Sequence, residues 1–122
     1  MDIERVKSIF AAADSRSPQA FSTLMTDDIF FRYANNPGTV GKAPLEQALA
    51  ELYAYVIEMH HDIVGVHQAG DIWTVETVAH YVDIHGRSWS FPGCSLLKAR
   101  GEKICDYRIF VDNGIMFQPP TA

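Results

Sequence analysis

The stretch RSWSFPGCSLLKARGEKICDYRIFVD, residues 87–112, constrains the fold more than any other part of the chain. It reads as two long strands folded back on each other around Arg100, Gly101 and Glu102. In the second arm Tyr107, Ile109 and Val111 point to one side and Asp106, Arg108, Phe110 and Asp112 to the other, because strand side chains have a period of two. Bulky groups on both sides imply cover on both sides. One face is expected to meet the protein's own helices, and the other a second layer such as a second subunit.

The residues before this hairpin supply the helices. Ile3, Val6, Ile9, Phe10 and Ala13 recur at helical spacing behind Asp2, which can cap the first turn. Ser17 and Pro18 open a second helix that carries Phe21, Leu24 and Met25. A short strand is expected over 29–33, rich in aromatic and β-branched residues, and Asn35, Asn36, Pro37 and Gly38 then form a loop. A third helix starts near Pro44, with Leu45, Ala48, Leu49, Leu52, Tyr53 and Val56 as its apolar stripe. From Met59 the pattern changes to strands over 60–68, 72–83, 87–99 and 103–112, joined by AGD, IHG and RGE. The tail from Asn113 has no periodicity of its own. The prediction is an α+β fold, a bent antiparallel meander packed against three N-terminal helices and enclosing one pocket, in a single domain over 1–122.

Length and charge narrow the function. A chain of 122 residues has room for one core and one main site. A formal charge of -5 with no run of Lys or Arg argues against nucleic acid, whose binding needs clustered cations. Charges within MDIERVKSIF interrupt any signal-peptide core, and no stretch reaches the length of a membrane span, so a cytoplasmic location without membrane contact is expected. Cys94 and Cys105 read as two buried free thiols, with Cys105 opposite Leu96 or Leu97. His60 and His61 are adjacent in a strand and face opposite ways, and no histidine pair has the spacing of a metal site. No phosphate loop, serine elbow or Cys-His pattern appears, so neither metal nor cofactor is expected.

The order helix, helix, strand, long helix and four antiparallel strands resembles the nuclear transport factor 2-like superfamily, with its SnoaL-like, limonene epoxide hydrolase-like and ketosteroid isomerase-like members. The local matches are YANNPG followed by Gly41 and a helix, the MHHDI that opens the 60–68 strand, Gly86 and Arg87 at a hairpin, and GEKICDYRIFVD at the end. The resemblance implies a cone whose bent sheet and helices enclose an apolar pocket, often in a homodimer formed by the outer sheet face. Tyr33 and Asn35 stand at the spacing of a water-positioning pair in the epoxide hydrolase-like members. Those enzymes also carry an Arg and an Asp two apart on the third strand and a second Asp near the end of the last; an ungapped match through Gly86 and Arg87 puts Glu76 and Val78 at the pair and Ile109 at the last. Epoxide opening by that route is therefore disfavoured.

If Ile109 faces the pocket, as that match implies, Tyr107 and Val111 do too. The same register sends Glu76, Val78 and His80 inward and Trp73, Val75, Thr77, Ala79 and Tyr81 outward. The expected cavity has walls of Met59, Val78, Phe91, Tyr107 and Ile109, with Tyr33, Asn35, His61, Glu76 and His80 as its polar groups, a ratio suited to a small hydrophobic ligand. A carboxylate among apolar groups with an imidazole nearby suits proton transfer, such as enolisation, double-bond migration or aldol-type ring closure on a carbonyl compound. Tyr33 and Asn35 would then hold the oxygen on which charge develops. Two classes stay open: an isomerase or cyclase with Glu76, His80 and His61 handling protons, and a non-catalytic dimeric ligand-binding or accessory protein. Asn35 is equally readable as a turn former. An outward Glu76 would remove the proposed base. Outward Trp73, Val75, Tyr81 and Phe110 would favour a homodimer through the outer face.

Overall fold

Residues 2–121 are described by a computed structural model of the chain. Asp2 accepts a hydrogen bond from the Arg5 backbone N–H at 2.9 Å and caps α1 (Ile3–Asp14), which buries Val6, Ile9, Phe10 and Ala13. Ser17 caps the short α2 (Pro18–Ser22) through the Ala20 N–H at 3.2 Å, with Pro18 where no N–H is missed. The next strand, β1 (Met25–Tyr33), starts earlier than the sequence suggests. Met25 belongs to it because it pairs with Ile104, whose N–H bonds the Leu24 carbonyl at 3.1 Å.

A two-residue strand, β2 (Thr39–Val40), pairs back on Phe30 and Phe31. Gly41, at φ 101°, then turns the chain into α3 (Lys42–Tyr55), a backbone angle that a side chain disfavours. Val56 ends the helix and begins β3 (Val56–Ala69), where it pairs with Asp83. The meander continues through β4 (Ile72–Asp83), β5 (Ser88–Arg100) and β6 (Lys103–Val111), and the tail forms a 3-10 turn over Gly114–Phe117.

The sheet order is β2-β1-β6-β5-β4-β3, with β1 parallel to β6 and the meander antiparallel throughout. Register shifts in β3, between Val56 and Glu58 and again between Ile63 and Gly65, add bend to strands that already twist. The sheet curls without closing, and the three helices fill its hollow. Ile9, Phe21, Ile29, Leu45, Leu97 and Tyr107 meet there, each 2 % exposed or less. The α+β class, the three helices and the meander are as the sequence predicts.

Register in β4 is the reverse of expectation. Tyr107 does face inward; β5 sets Leu97 opposite Tyr107 and Ser95 opposite Ile109, while β4 sets Trp73 opposite Leu97 and Val75 opposite Ser95. Paired residues share a face, so Trp73, Val75, Thr77, Ala79 and Tyr81 point inward and all are buried. Glu76, Val78 and His80 point outward. Energetics explains the choice: burying each of Trp73, Val75 and Tyr81 contributes about 1.5–3 kcal/mol, whereas a one-residue slip would expose all three and bury a carboxylate. Two smaller corrections accompany this one. Cys94 and Cys105 are free but only half buried, and Cys94 pairs with Phe110 while Cys105 sits at the bulge beside Ala99.

Candidate active site

The hollow between sheet and helices contains a cavity of about 40 Å³ walled by apolar groups, among them Leu49, Met59, Ala79, Ile109 and Val111. Its polar lining is His61 from β3, Tyr33 from β1, Thr77 and Tyr81 from β4, and Tyr53, Ser95 and Tyr107. Beside it, sharing Phe31, Tyr33, Leu49 and Leu52, lies a groove of about 550 Å³ that reaches Pro37, Tyr55 and Phe117 at the surface. A chamber of 40 Å³ holds no more than a few atoms of a ligand, so the groove is where a larger body would rest.

His61 is the sharpest feature of the chamber. Its Nδ1 lies 2.5 Å from Asp14 Oδ1, and its backbone N–H donates to Asp14 Oδ2 at 3.0 Å. The His61 side chain is 13 % exposed and the Asp14 side chain 19 %, so the pair is shielded but not sealed. Asp14 is the last residue of α1, where the helix dipole disfavours an acid. The fold holds that end in place by a clamp: the Tyr53 hydroxyl donates to the Ala13 carbonyl at 3.0 Å, and Arg16 donates to the Tyr53 carbonyl at 2.8 Å. With Nδ1–H given to Asp14, the imidazole presents Nε2 as the nitrogen left for a ligand.

The other polar group is a phenol pair. Tyr33 Oη and Tyr81 Oη are 3.2 Å apart, and Asn113 Nδ2 donates to Tyr33 Oη at 2.7 Å. Burial pushes the Tyr33 hydroxyl above its ordinary range, and the hydrogen bonds from Tyr81 and Asn113 only partly offset this. Burial raises Tyr81 and Tyr107 as well, so these phenols remain protonated at neutral pH. Tyr81 and His61 meet edge to face at 6.3 Å between ring centroids, which puts the imidazole and the phenols around one small volume.

The sequence-predicted residues divide cleanly. His61, Tyr33, Met59, Tyr107 and Ile109 line the cavity. Phe91 faces inward but packs in a separate cluster with Val56, Ala79, Tyr81 and Met116. Asn35 is exposed in the turn after β1, held clear of the chamber by the tight turn that Ala34 makes at φ 53°. Glu76, Val78 and His80 are on the convex face for the register reason given above. There His80 has its own partners: Nε2 meets Asp62 at 2.8 Å and Nδ1 meets Ser90 at 2.7 Å, while His60 reaches Asp62 at 3.0 Å. Asp14, Tyr81 and Asn113 are additions that the sequence reading missed. An acid closing a helix one residue after a buried Ala13 was the available signal for Asp14. Among the described residues no group of three or more His, Cys, Asp or Glu is arranged to hold a metal ion, and no helix is long and apolar enough to cross a membrane.

Comparison with known proteins bears on this geometry. Residues 6–107 match the family described as the SnoaL-like domain. No curated protein matches the chain. A hypothetical protein with a ketosteroid isomerase-like fold from Catenulispora acidiphila DSM 44928, in complex with trimethylamine, superposes with a TM-score of 0.82 at 25% identity, covering 90% of this chain and 86% of that one. A putative SnoaL-like polyketide cyclase from Jannaschia sp. CCS1 gives 0.78 at 16% identity, covering 90% and 84%. An epoxide hydrolase of M. tuberculosis, described as LEH-like, gives 0.76 at 14% identity, covering 90% and 81%. The last two likenesses show the fold alone.

Proposed function

Because this chain belongs to the SnoaL-like domain family, within the nuclear transport factor 2-like superfamily, we propose that it is a cofactor-independent acid/base enzyme that moves a proton on a small, hydrophobic, carbonyl-bearing molecule. The observation that carries this reading is the Asp14–His61 pair, 2.5 Å apart at the wall of an apolar chamber that also holds the Tyr33–Tyr81 phenols. His61 Nε2 takes the proton from the carbon next to the carbonyl. The electron pair moves onto the carbonyl oxygen, which accepts a hydrogen bond from a phenol, and His61 returns the proton to the same carbon or to a conjugated one. Asp14 keeps the imidazole in the required tautomer and faces the imidazolium formed midway. The outward placement of Glu76 and His80 leaves this chemistry to His61 alone.

Chamber size supports a division of labour in the ligand: carbonyl head inside, apolar body in the groove. Epoxide opening stays disfavoured, because Asp14 is the carboxylate beside the chamber and its oxygens are already directed at His61. A homodimer through the convex face belongs to the proposal, on the strength of Phe110 at 43 % exposure beside Cys94 and Leu96. A cytoplasmic location suits the two free thiols.

The test is exchange of α-protons for deuterium in 2-acetylnaphthalene and related ketones, followed by NMR. The wild-type protein should accelerate exchange, and His61→Gln should abolish the acceleration. Ketones that bind without faster exchange would favour the second reading, a non-catalytic ligand-binding protein, which the small and mainly apolar lining also suits.

A further inference from the structure

We propose that Asn113, in the C-terminal segment, is a positioning and selectivity-determining residue that makes Tyr33 an obligate hydrogen-bond donor toward the ligand, so that the chamber prefers an acceptor oxygen over an apolar isostere. The inference rests on the carbonyl reading above and deepens it.

The hydrogen-bonding capacity of one oxygen, Tyr33 Oη, decides this. A phenol offers one hydrogen and two lone pairs. Asn113 Nδ2 can only donate, and at 2.7 Å from Tyr33 Oη it occupies one lone pair. Tyr81 Oη, at 3.2 Å, fills the second when its hydroxyl turns toward Tyr33. What Tyr33 has left is its own hydrogen. A ligand carbonyl or enolate oxygen can take that hydrogen, whereas a hydrocarbon leaves it unpaired in a buried site.

Asn113 is fixed for this task from the far end of the chain. It is 3 % exposed, and its carbonyl accepts the Met116 N–H at 3.1 Å, closing the 3-10 turn. Met116 is fully buried, and its carbonyl accepts hydrogen bonds from Tyr55 at 2.5 Å and Arg87 at 3.1 Å. Arg87 also donates to the Gln118 carbonyl at 2.8 Å. The tail therefore works as a strap that delivers one amide to the wall of the chamber.

The test compares 2-acetylnaphthalene with its hydrocarbon isostere 2-isopropenylnaphthalene in the wild-type protein and in Asn113→Asp, Asn113→Leu and Tyr33→Phe. Wild type should bind the ketone about 10-fold tighter, one charge-free hydrogen bond's worth, and lower the infrared carbonyl stretch of the bound ketone. Tyr33→Phe should remove both effects. Asn113→Asp keeps the size of the side chain but accepts the Tyr33 proton, so it should lose the preference and return the stretch upward, with the ketone bound more weakly and the hydrocarbon no more weakly than in wild type. Asn113→Leu opens a lone pair on Tyr33 and lets its hydroxyl turn toward Tyr81, so the preference and the shift of the stretch should be reduced without being abolished. Retention of the wild-type ratio and stretch in both Asn113 variants would remove this role while leaving the carbonyl reading standing. An equal loss of both ligands in Asn113→Asp would make Asn113 merely structural. A wild-type protein indifferent to the carbonyl would overturn both this inference and the reading beneath it.

Discussion

In the proposed mechanism His61 acts through its tautomer, and the tautomer is set by a single carboxylate. In Asp14→Asn the amide N–H faces Nδ1 and drives the proton onto Nε2, which leaves no base toward the ligand. α-Proton exchange should then fall by about 10²–10⁴-fold while binding of the ketone persists. Glu76→Gln and His80→Gln should stay within about twofold of wild type in the same assay, as convex-face substitutions away from the site usually do. The phenols give a pH prediction of definite sign. Burial raises Tyr33, Tyr53, Tyr81 and Tyr107, so the folded state keeps protons that the unfolded state releases above about pH 10, and stability should fall as pH rises past that point. Alkaline titration of the phenolate absorbance should show these four ionising together with unfolding, not before it. Residue by residue, alternation groups Tyr107 with Ile109 on β6 and Met59 with His61 on β3, and the family match that turns Ile109 inward puts all four on the cavity side, where they are. On β4 the ungapped family match gives the wrong face. The plain contrast of Trp73, Val75 and Tyr81 against Thr74, Glu76 and His80 already indicated which side was the core.

At the scale of elements, the β4–β5 hairpin and the tail are one unit joined through Asp83. This carboxylate is fully buried and receives the His85 and Arg87 backbone N–H groups at 2.8 and 3.1 Å, the Arg87 Nε at 2.8 Å and the Trp89 indole at 2.9 Å. Burial raises its pKa, but the bonds from Trp89, Arg87 and His85 outweigh that and hold it down at about 2. A carboxyl depressed in the folded state contributes stability above its unfolded value of about 3.9 and loses it as pH falls toward the folded value. Asp83→Asn should therefore lower Tm on the order of 5 °C at neutral pH, with the gap to wild type closing between pH 4 and pH 2. Arg87→Ala severs the strap more selectively, since its guanidinium holds the Met116 and Gln118 carbonyls. Amide exchange over 113–118 should rise while the β3–β6 core stays protected. The sequence showed the IHG connection but not the order of the tail. That order comes from Arg87, far away in the chain, and leaves no periodic trace in residues 113–118.

For the molecule as a whole, element order was readable because each helix carries its own cap and stripe and each strand its own alternation, so local signals agree with the global fold. The parallel seating of β1 on β6 was not, because it depends on pairing between segments far apart in the chain, and β2 was not, because its two residues, Thr39 and Val40, are too few to show alternation. The same distance effect changes the case for a dimer. Trp73, Val75 and Tyr81 are core residues, so they no longer argue for a partner. What the convex face does offer is Phe110, 43 % exposed, paired with Cys94 and next to Leu96, with Pro92 on the same strand as these two and Val78 opposite it on β4. Charges frame this strip: Arg32 lies over the Phe110 ring at 5.4 Å, Arg108 binds Asp106 at 2.9 Å, and the His60–Asp62–His80 cluster borders the far side. An apolar centre with a charged rim is the anatomy of an interface between copies of modest strength. Phe110→Asp places a carboxylate at that centre, where dimerisation would bury it twice across a two-fold axis. Sedimentation equilibrium at micromolar concentration should show a dimer for wild type and a monomer for this variant, with unchanged far-UV dichroism. A wild-type monomer would leave the chamber chemistry intact, since every residue assigned to it comes from one chain, and would remove the second subunit from the account.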